Sequence, residues 1–154
     1  MGVMKVIYSI SDETIKQIKA NQLSFEDFAN RHQVNSFSFD KFADDFYLMF
    51  CYVDGSTLVR NILDSGVYIE DKQHYFLECR YLSLSKIKKI YAWSKRVTLD
   101  KFKNWAVGYE RTDNYGTKIT AENYQAYFDR YIKDFVEFVI KNAAKGDGFL
   151  LVNI

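Results

Sequence analysis

Apolar positions change their period several times along the chain, and each change marks an element. Residues 3–10 alternate loosely and are rich in β-branched and aromatic types, which predicts a strand. Ser11 then caps a helix whose first turn carries Asp12 and Glu13, where carboxylates suit the helix dipole, and whose buried side is Ile15 and Ile18. Ser24-Phe25-Glu26-Asp27 opens a second short helix. Residues 40–52 place Phe42, Phe46, Met49 and Phe50 at helical spacing, and residues 56–64 form another helix stopped by Gly66. Residues 74–82 read as a strand. Ser83 or Ser85 caps the next helix, with Ile87, Ile90, Tyr91 and Ser94 inward, and a short helix follows Thr98 with Leu99, Phe102 and Trp105. The longest helix spans 121–145, with an apolar stripe of Tyr124, Phe128, Tyr131, Phe135, Phe138 and Val139, and ends before Gly146. Residues 149–154 close the chain as an apolar strand. The pattern predicts an α+β fold: one helix-rich domain over 1–154, with a small sheet built from strands distant in sequence.

Composition narrows the function classes without choosing one. The 154 residues are 48% hydrophobic and 18% aromatic, enough to build a core, and the net charge of +1 argues against a general polyanion binder. No run approaches the roughly 18 apolar residues of a membrane span, and the N-terminal segment lacks a secretory pattern. Two cysteines, Cys51 and Cys79, suit free thiols in a reducing cytosol. The absence of proline and the excess of Lys over Arg suggest an AT-rich coding sequence of bacterial or phage type.

The familiar catalytic signatures are absent. Gly146-Asp147-Gly148 follows a helix instead of opening one, so it cannot cradle a phosphate at a helix N-terminus. There is no nucleophile elbow, and His32 and His74 have no second ligand at metal-binding spacing. No cofactor and no metal are expected from these residues.

Two constellations remain. At 100° per residue, Asp40, Asp44, Tyr47 and Cys51 fall in one narrow helical sector beside the Phe42/Phe46 face, a stripe that could meet a cationic group or a polar ligand. The second is basic: Lys88, Lys89, Lys95 and Arg96 lie opposite the apolar side of their helix, with Trp93 near the boundary, as a phosphate-backbone contact would need. A solvated charged face is the competing reading of each. Charge is also divided along the chain. Residues 1–80 carry eight basic and twelve acidic groups, and residues 81–154 carry thirteen and eight.

The order of these pieces resembles the YfbM-like family, a bacterial domain of unknown function. The resemblance is carried by Met1-Gly2-Val3-Met4 followed by Tyr8, by the segment from Phe39-Asp40-Lys41-Phe42 to Met49-Phe50, and by Tyr81-Leu82-Ser83-Leu84-Ser85-Lys86-Ile87. It continues through Tyr127-Phe128, Phe135, Phe138, Ala143-Ala144, Gly146, Asp147 and Phe149-Leu150-Leu151-Val152. Ala43 stands where the family has Trp, and Tyr47 where it has His; a Tyr is no base near neutral pH without a large pKa shift. The resemblance implies a compact α+β fold and a bacterial cytosolic setting, and brings no activity with it.

The expectation is therefore a non-catalytic binding or interaction protein whose partner is another protein. One version is an immunity-like or phage-conflict protein that masks its partner by charge complementarity. The alternatives are an enzyme with a dispersed polar site around Asp40, Asp44 and Tyr47, and a weak nucleic-acid or anion binder through residues 86–96. Tight nucleic-acid binding and membrane association are not expected, and the oligomeric state is open.

Overall fold

The structure is a computed structural model, and it describes residues 4–32, 35–39, 58–113 and 115–154. Five antiparallel strands form one sheet in the order β2-β1-β5-β4-β3. They are β1 (Lys5–Ile10), β2 (Ser36–Ser38), β3 (Val67–Tyr68), β4 (Glu78–Leu82) and β5 (Gly148–Asn153). The two ends of the chain thus pair at the centre of the sheet. Ile7 faces Leu151 and Ser9 faces Phe149, and Met4 and Ile154 exchange backbone hydrogen bonds of 3.2 and 2.9 Å.

The central strand β5 reads as an unbroken apolar run because both of its faces are covered. Phe149 and Leu151 join Ile7 and Leu82 in one core, while Leu150 and Val152 join Val6, Tyr8, Ile10 and Cys79 in the other. The second core is closed by α1 (Asp12–Lys19) through Ile15 and Ile18, and by α2 (Phe25–His32) through Phe25 and Phe28. The larger first core is closed by α3 (Leu58–Asp64), α4 (Leu84–Ser94), α5 (Leu99–Ala106) and the C-terminal helix. Helical caps follow the sequence: the Ser11, Ser24 and Thr98 hydroxyls accept from the N–H of Thr14, Asp27 and Lys101 at 3.1, 3.0 and 3.2 Å.

Several expectations change in detail. The longest helix begins at Tyr124, not 121, because Asn123 is tied back to the preceding loop. It runs as α6 (Tyr124–Tyr127), a π-helical stretch (Phe128–Lys133) and α7 (Asp134–Ala144). The wider π turn brings adjacent Tyr131 and Ile132 both inward, which a regular 3.6-residue period does not predict. Phe135 and Val139 are buried as expected, and Phe128 is half-buried against the core. The strand expected at 74–82 forms only from Glu78; His74 has φ 53°, a left-handed conformation that ends any extended run before it. The helix expected at 40–52 lies outside the described residues.

Candidate functional site

The basic helix α4 keeps Lys88 and Lys89 in solvent, as its pattern indicates; it ends at Ser94, so Lys95 and Arg96, also exposed, sit in the turn that follows it instead of on the same helical face. Trp93 is a correction. It is fully buried in the first core, so it cannot interleave with the basic groups as a stacking platform. Burying the large indole rotates the inward face of α4 away from Tyr91, which stays half-buried, and Lys95 Nζ sits 4.4 Å above the Tyr91 ring. Asp40, Asp44, Tyr47 and Cys51 lie outside the described residues. His32 has a structural place: its ring stacks on Phe28 at 4.4 Å, and Nδ1 lies 2.9 Å from the Phe28 carbonyl oxygen. Among the described residues, no three His, Cys, Asp or Glu side chains converge to hold a metal ion. Cys79 is a free buried thiol pushed up to about 12, first by burial and then by Asp71 and Glu78, so it is not a thiolate nucleophile at neutral pH.

The structure instead assembles a site between α5 and the C-terminal helix. Leaving α5, the chain turns at Glu110, which holds φ 52° and pairs with Lys118 at 2.8 Å. Residues 111–113 and 115–119 then pair across a turn. The N–H of Ile119 donates to the Arg111 carbonyl at 2.8 Å, and that of Asp113 to the Thr117 carbonyl at 2.9 Å. Gly116, at φ 77°, supplies the left-handed turn at the tip. Asp113 organises this tip as an Asx turn: its Oδ1 accepts from the N–H groups of Tyr115 and Thr117, both at 2.9 Å.

Two side chains tie the folded loop to the helix. Asn123 accepts from the Thr120 N–H at 2.7 Å and donates to the Lys118 carbonyl at 3.0 Å. The Tyr127 hydroxyl donates to Asp113 Oδ2 at 2.8 Å. Between loop and helix lies a cleft of about 270 Å³ lined by Asp113, Tyr115, Ala126, Tyr127, Arg130 and Tyr131. The helical wall is the junction of α6 with the π stretch. There the rings of Tyr127 and Tyr131 are 28° from parallel with centroids 6.0 Å apart, and the Arg130 guanidinium stands 5.3 Å over Tyr131.

The protonation states are fixed by this geometry. Burial pushes Asp113 up, but hydrogen bonds from the Tyr127 hydroxyl and from the Thr117 and Tyr115 N–H groups outweigh it, so the carboxyl lies below its ordinary 3.8. Tyr127 is pushed up to about 12, first by burial and then by its bond to Asp113. Near neutral pH the Asp113–Tyr127 pair is therefore a carboxylate and a neutral phenol, and neither exchanges a proton there. Sequence reasoning missed the site. Its available signals were the Asp-x-x-Gly turn at 113–116 and the Tyr-x-x-Arg-Tyr spacing at 127–131.

Two other polar groupings satisfy themselves. A concavity of about 130 Å³ on the sheet is crossed by Arg80, which pairs with Glu78 at 2.6 Å and donates to the Asp64 carbonyl at 2.9 Å, while Asn153 donates to Glu78 at 2.8 Å. At the opposite end of the sheet the Tyr81 hydroxyl donates to Asp12 and the Ser9 hydroxyl to Asp147.

No family model matches the chain, and no curated protein matches it in sequence. Among solved structures it is similar to the crystal structure of YfbM from Escherichia coli, described as a protein of unknown function. That similarity has a TM-score of 0.60 at 11% identity and covers 98% of this chain and 99% of that one. The likeness to the YfbM-like family read from the sequence thus holds across the whole chain as a likeness of fold: the protein has the YfbM fold.

Proposed function

We propose that this protein is a non-catalytic binding protein, and that the Asp113–Tyr131 cleft is where it binds. The observation that carries this reading is the fixed electrostatics of the cleft. Its acid is ionised and already accepts three hydrogen bonds, and its phenol is committed as a donor. General acid–base chemistry works best with a group whose pKa lies near the operating pH, and both titrating groups are held well away from it. Concave shape, exposed aromatic surface and a cation at the rim are what a recognition site needs. A cytosolic setting and a protein partner of the immunity or phage-conflict kind remain part of the proposal, supported by the free buried thiol of Cys79 and by the charge division along the chain.

The test is a fragment library screened by amide NMR on the full chain. Shifts should concentrate on residues 113–117 and 126–131 and disappear for those fragments in Tyr115→Ala. Hits centred on the Glu78–Arg80 concavity, or chemical conversion of a fragment by the protein, would overturn the reading.

A further inference from the structure

We propose that the outer edge of β3 pairs with the same edge of a second copy of this chain, joining two five-stranded sheets about a two-fold axis at Tyr68. β3 ends the sheet order, and no strand lies beside its outer edge among the described residues. Backbone geometry fixes which groups face outward. The Ile69 N–H donates to the Cys79 carbonyl at 3.0 Å, so Ile69 turns towards β4, and its neighbours Tyr68 and Glu70 turn their N–H and C=O groups away from it. Edge strands are commonly blunted by lysine, by proline or by a covering loop. β3 carries neither residue, and its Val67 and Tyr68 side chains are 58% and 63% exposed. A strand added here meets outward backbone groups and apolar surface together.

Charge selects a second copy as the occupant. Tyr68 stands opposite Arg80, on the sheet face that carries Leu82 and packs against α4. Glu70, two residues on, shares that face. At the other end of the edge Lys86 reaches from α4 to Ser65. Its Nζ donates to the Ser65 carbonyl at 2.7 Å and to the Ser65 hydroxyl at 3.0 Å, which leaves one of the three ammonium donors. The edge is therefore basic at one end and acidic at the other. Antiparallel pairing about Tyr68 reverses one copy against the other. It sets Glu70 opposite Gly66 of the second copy, beside Lys86 of that copy, and the symmetry repeats the contact. Gly66 has no side chain to stand between them. The two Glu70 carboxylates stay four residue steps, ~13 Å, apart along the strand direction, so like charges do not meet. At the axis each Tyr68 N–H faces the carbonyl of the other Tyr68, and the two rings share a face as a cross-strand aromatic pair. Two residues of strand make a small interface, so the dimer is weak, with a Kd on the order of 0.1 mM.

Sedimentation equilibrium of the full chain over a concentration series tests this, with amide NMR to locate the contact. The wild type should pass reversibly from monomer to dimer as concentration rises, with the Tyr68 and Glu70 amides shifting most. Glu70→Lys and Lys86→Glu should each weaken dimerisation by about tenfold or more, since each sets like charges together. Mixed in equal amounts, the two variants should recover it, because their heterodimer again pairs a lysine with a glutamate at both ends of the edge; a variant that had lost its fold would not be rescued. Tyr68→Lys, at an exposed position, should abolish pairing by placing two cations at the axis. A wild type that stays monomeric to about 1 mM would overturn the proposal. So would a dimer indifferent to all three substitutions, which would lie on another surface. Tyr68 shifts that appear only with an added foreign strand peptide would also overturn it and make the edge a peptide site.

Discussion

Tyr127 and Asp113 are joined by one hydrogen bond that closes the loop onto the helix, and its removal should be measurable in stability. Tyr127→Phe keeps the ring and deletes the donor, which should cost about 1 kcal/mol in urea denaturation, since a bond to a charged acceptor at a half-exposed site lies at the low end of its class. The pH dependence has a definite sign. Tyr81 and Tyr127 are both raised to about 12 in the folded chain, against an ordinary 10. The stability they contribute is complete below about pH 10 and is lost as pH rises through about 12. Urea midpoints should fall between pH 9.5 and roughly pH 12, and fall less in Tyr127→Phe; equal slopes would show that Tyr127 is not raised. Gly148 answers a different constraint. A Cβ there would meet the Leu82 carbonyl oxygen at 2.6 Å and the Tyr81 ring at 2.8 Å, so Gly148→Ala should destabilise by roughly 1–3 kcal/mol. Wild-type stability in that variant would mean that β4 and β5 are less closely apposed.

At the scale of elements, the sequence showed most plainly those segments whose local signals agree with their burial. Ser11, Ser24 and Thr98 mark helix starts because a hydroxyl must satisfy an otherwise unpaired N–H, and β5 is evident from its apolar run. Edge strand β3 was not legible, since Val67 and Tyr68 are both exposed and two residues give no period. β2 was missed for the same brevity. The phase of α4 misled because periodicity weighs Tyr91 and Trp93 alike, whereas tertiary packing favours the side chain with more apolar surface. The cleft was hidden for a further reason: it depends on a loop–helix contact and on a π stretch, and neither has a local signature. Phe135 tests the element that carries the cleft. It is fully buried where α7 meets Phe37 and Phe39, so Phe135→Ala should cost roughly 3–5 kcal/mol. A loss below 1 kcal/mol would contradict the assigned phase of the helix.

Across the whole molecule, charge is divided but nearly balanced, and the basic side of α4 has lost its proposed stacking residue to the core. Fluorescence anisotropy with single-stranded DNA at physiological salt should therefore show no sub-micromolar binding. Whatever weak binding appears at low salt should fall steeply with added salt and vanish when Lys88, Lys89 and Arg96 are reversed in charge. Salt-insensitive or sequence-specific binding would contradict this. The shared fold with YfbM places the same scaffold under two chains at 11% identity, so the account of function rests on this chain's own side chains.

The claim at the centre is that the Asp113 carboxylate is the ionised, hydrogen-bonded hub of a recognition cleft. Its direct test is the pH titration of the Asp113 side-chain carboxyl carbon by ¹³C NMR, in the wild type and in Tyr127→Phe. The account predicts a midpoint below the ordinary 3.8 in the wild type, moving upward when the Tyr127 hydroxyl is removed. A wild-type midpoint at or above the ordinary value, unchanged in Tyr127→Phe, would contradict it.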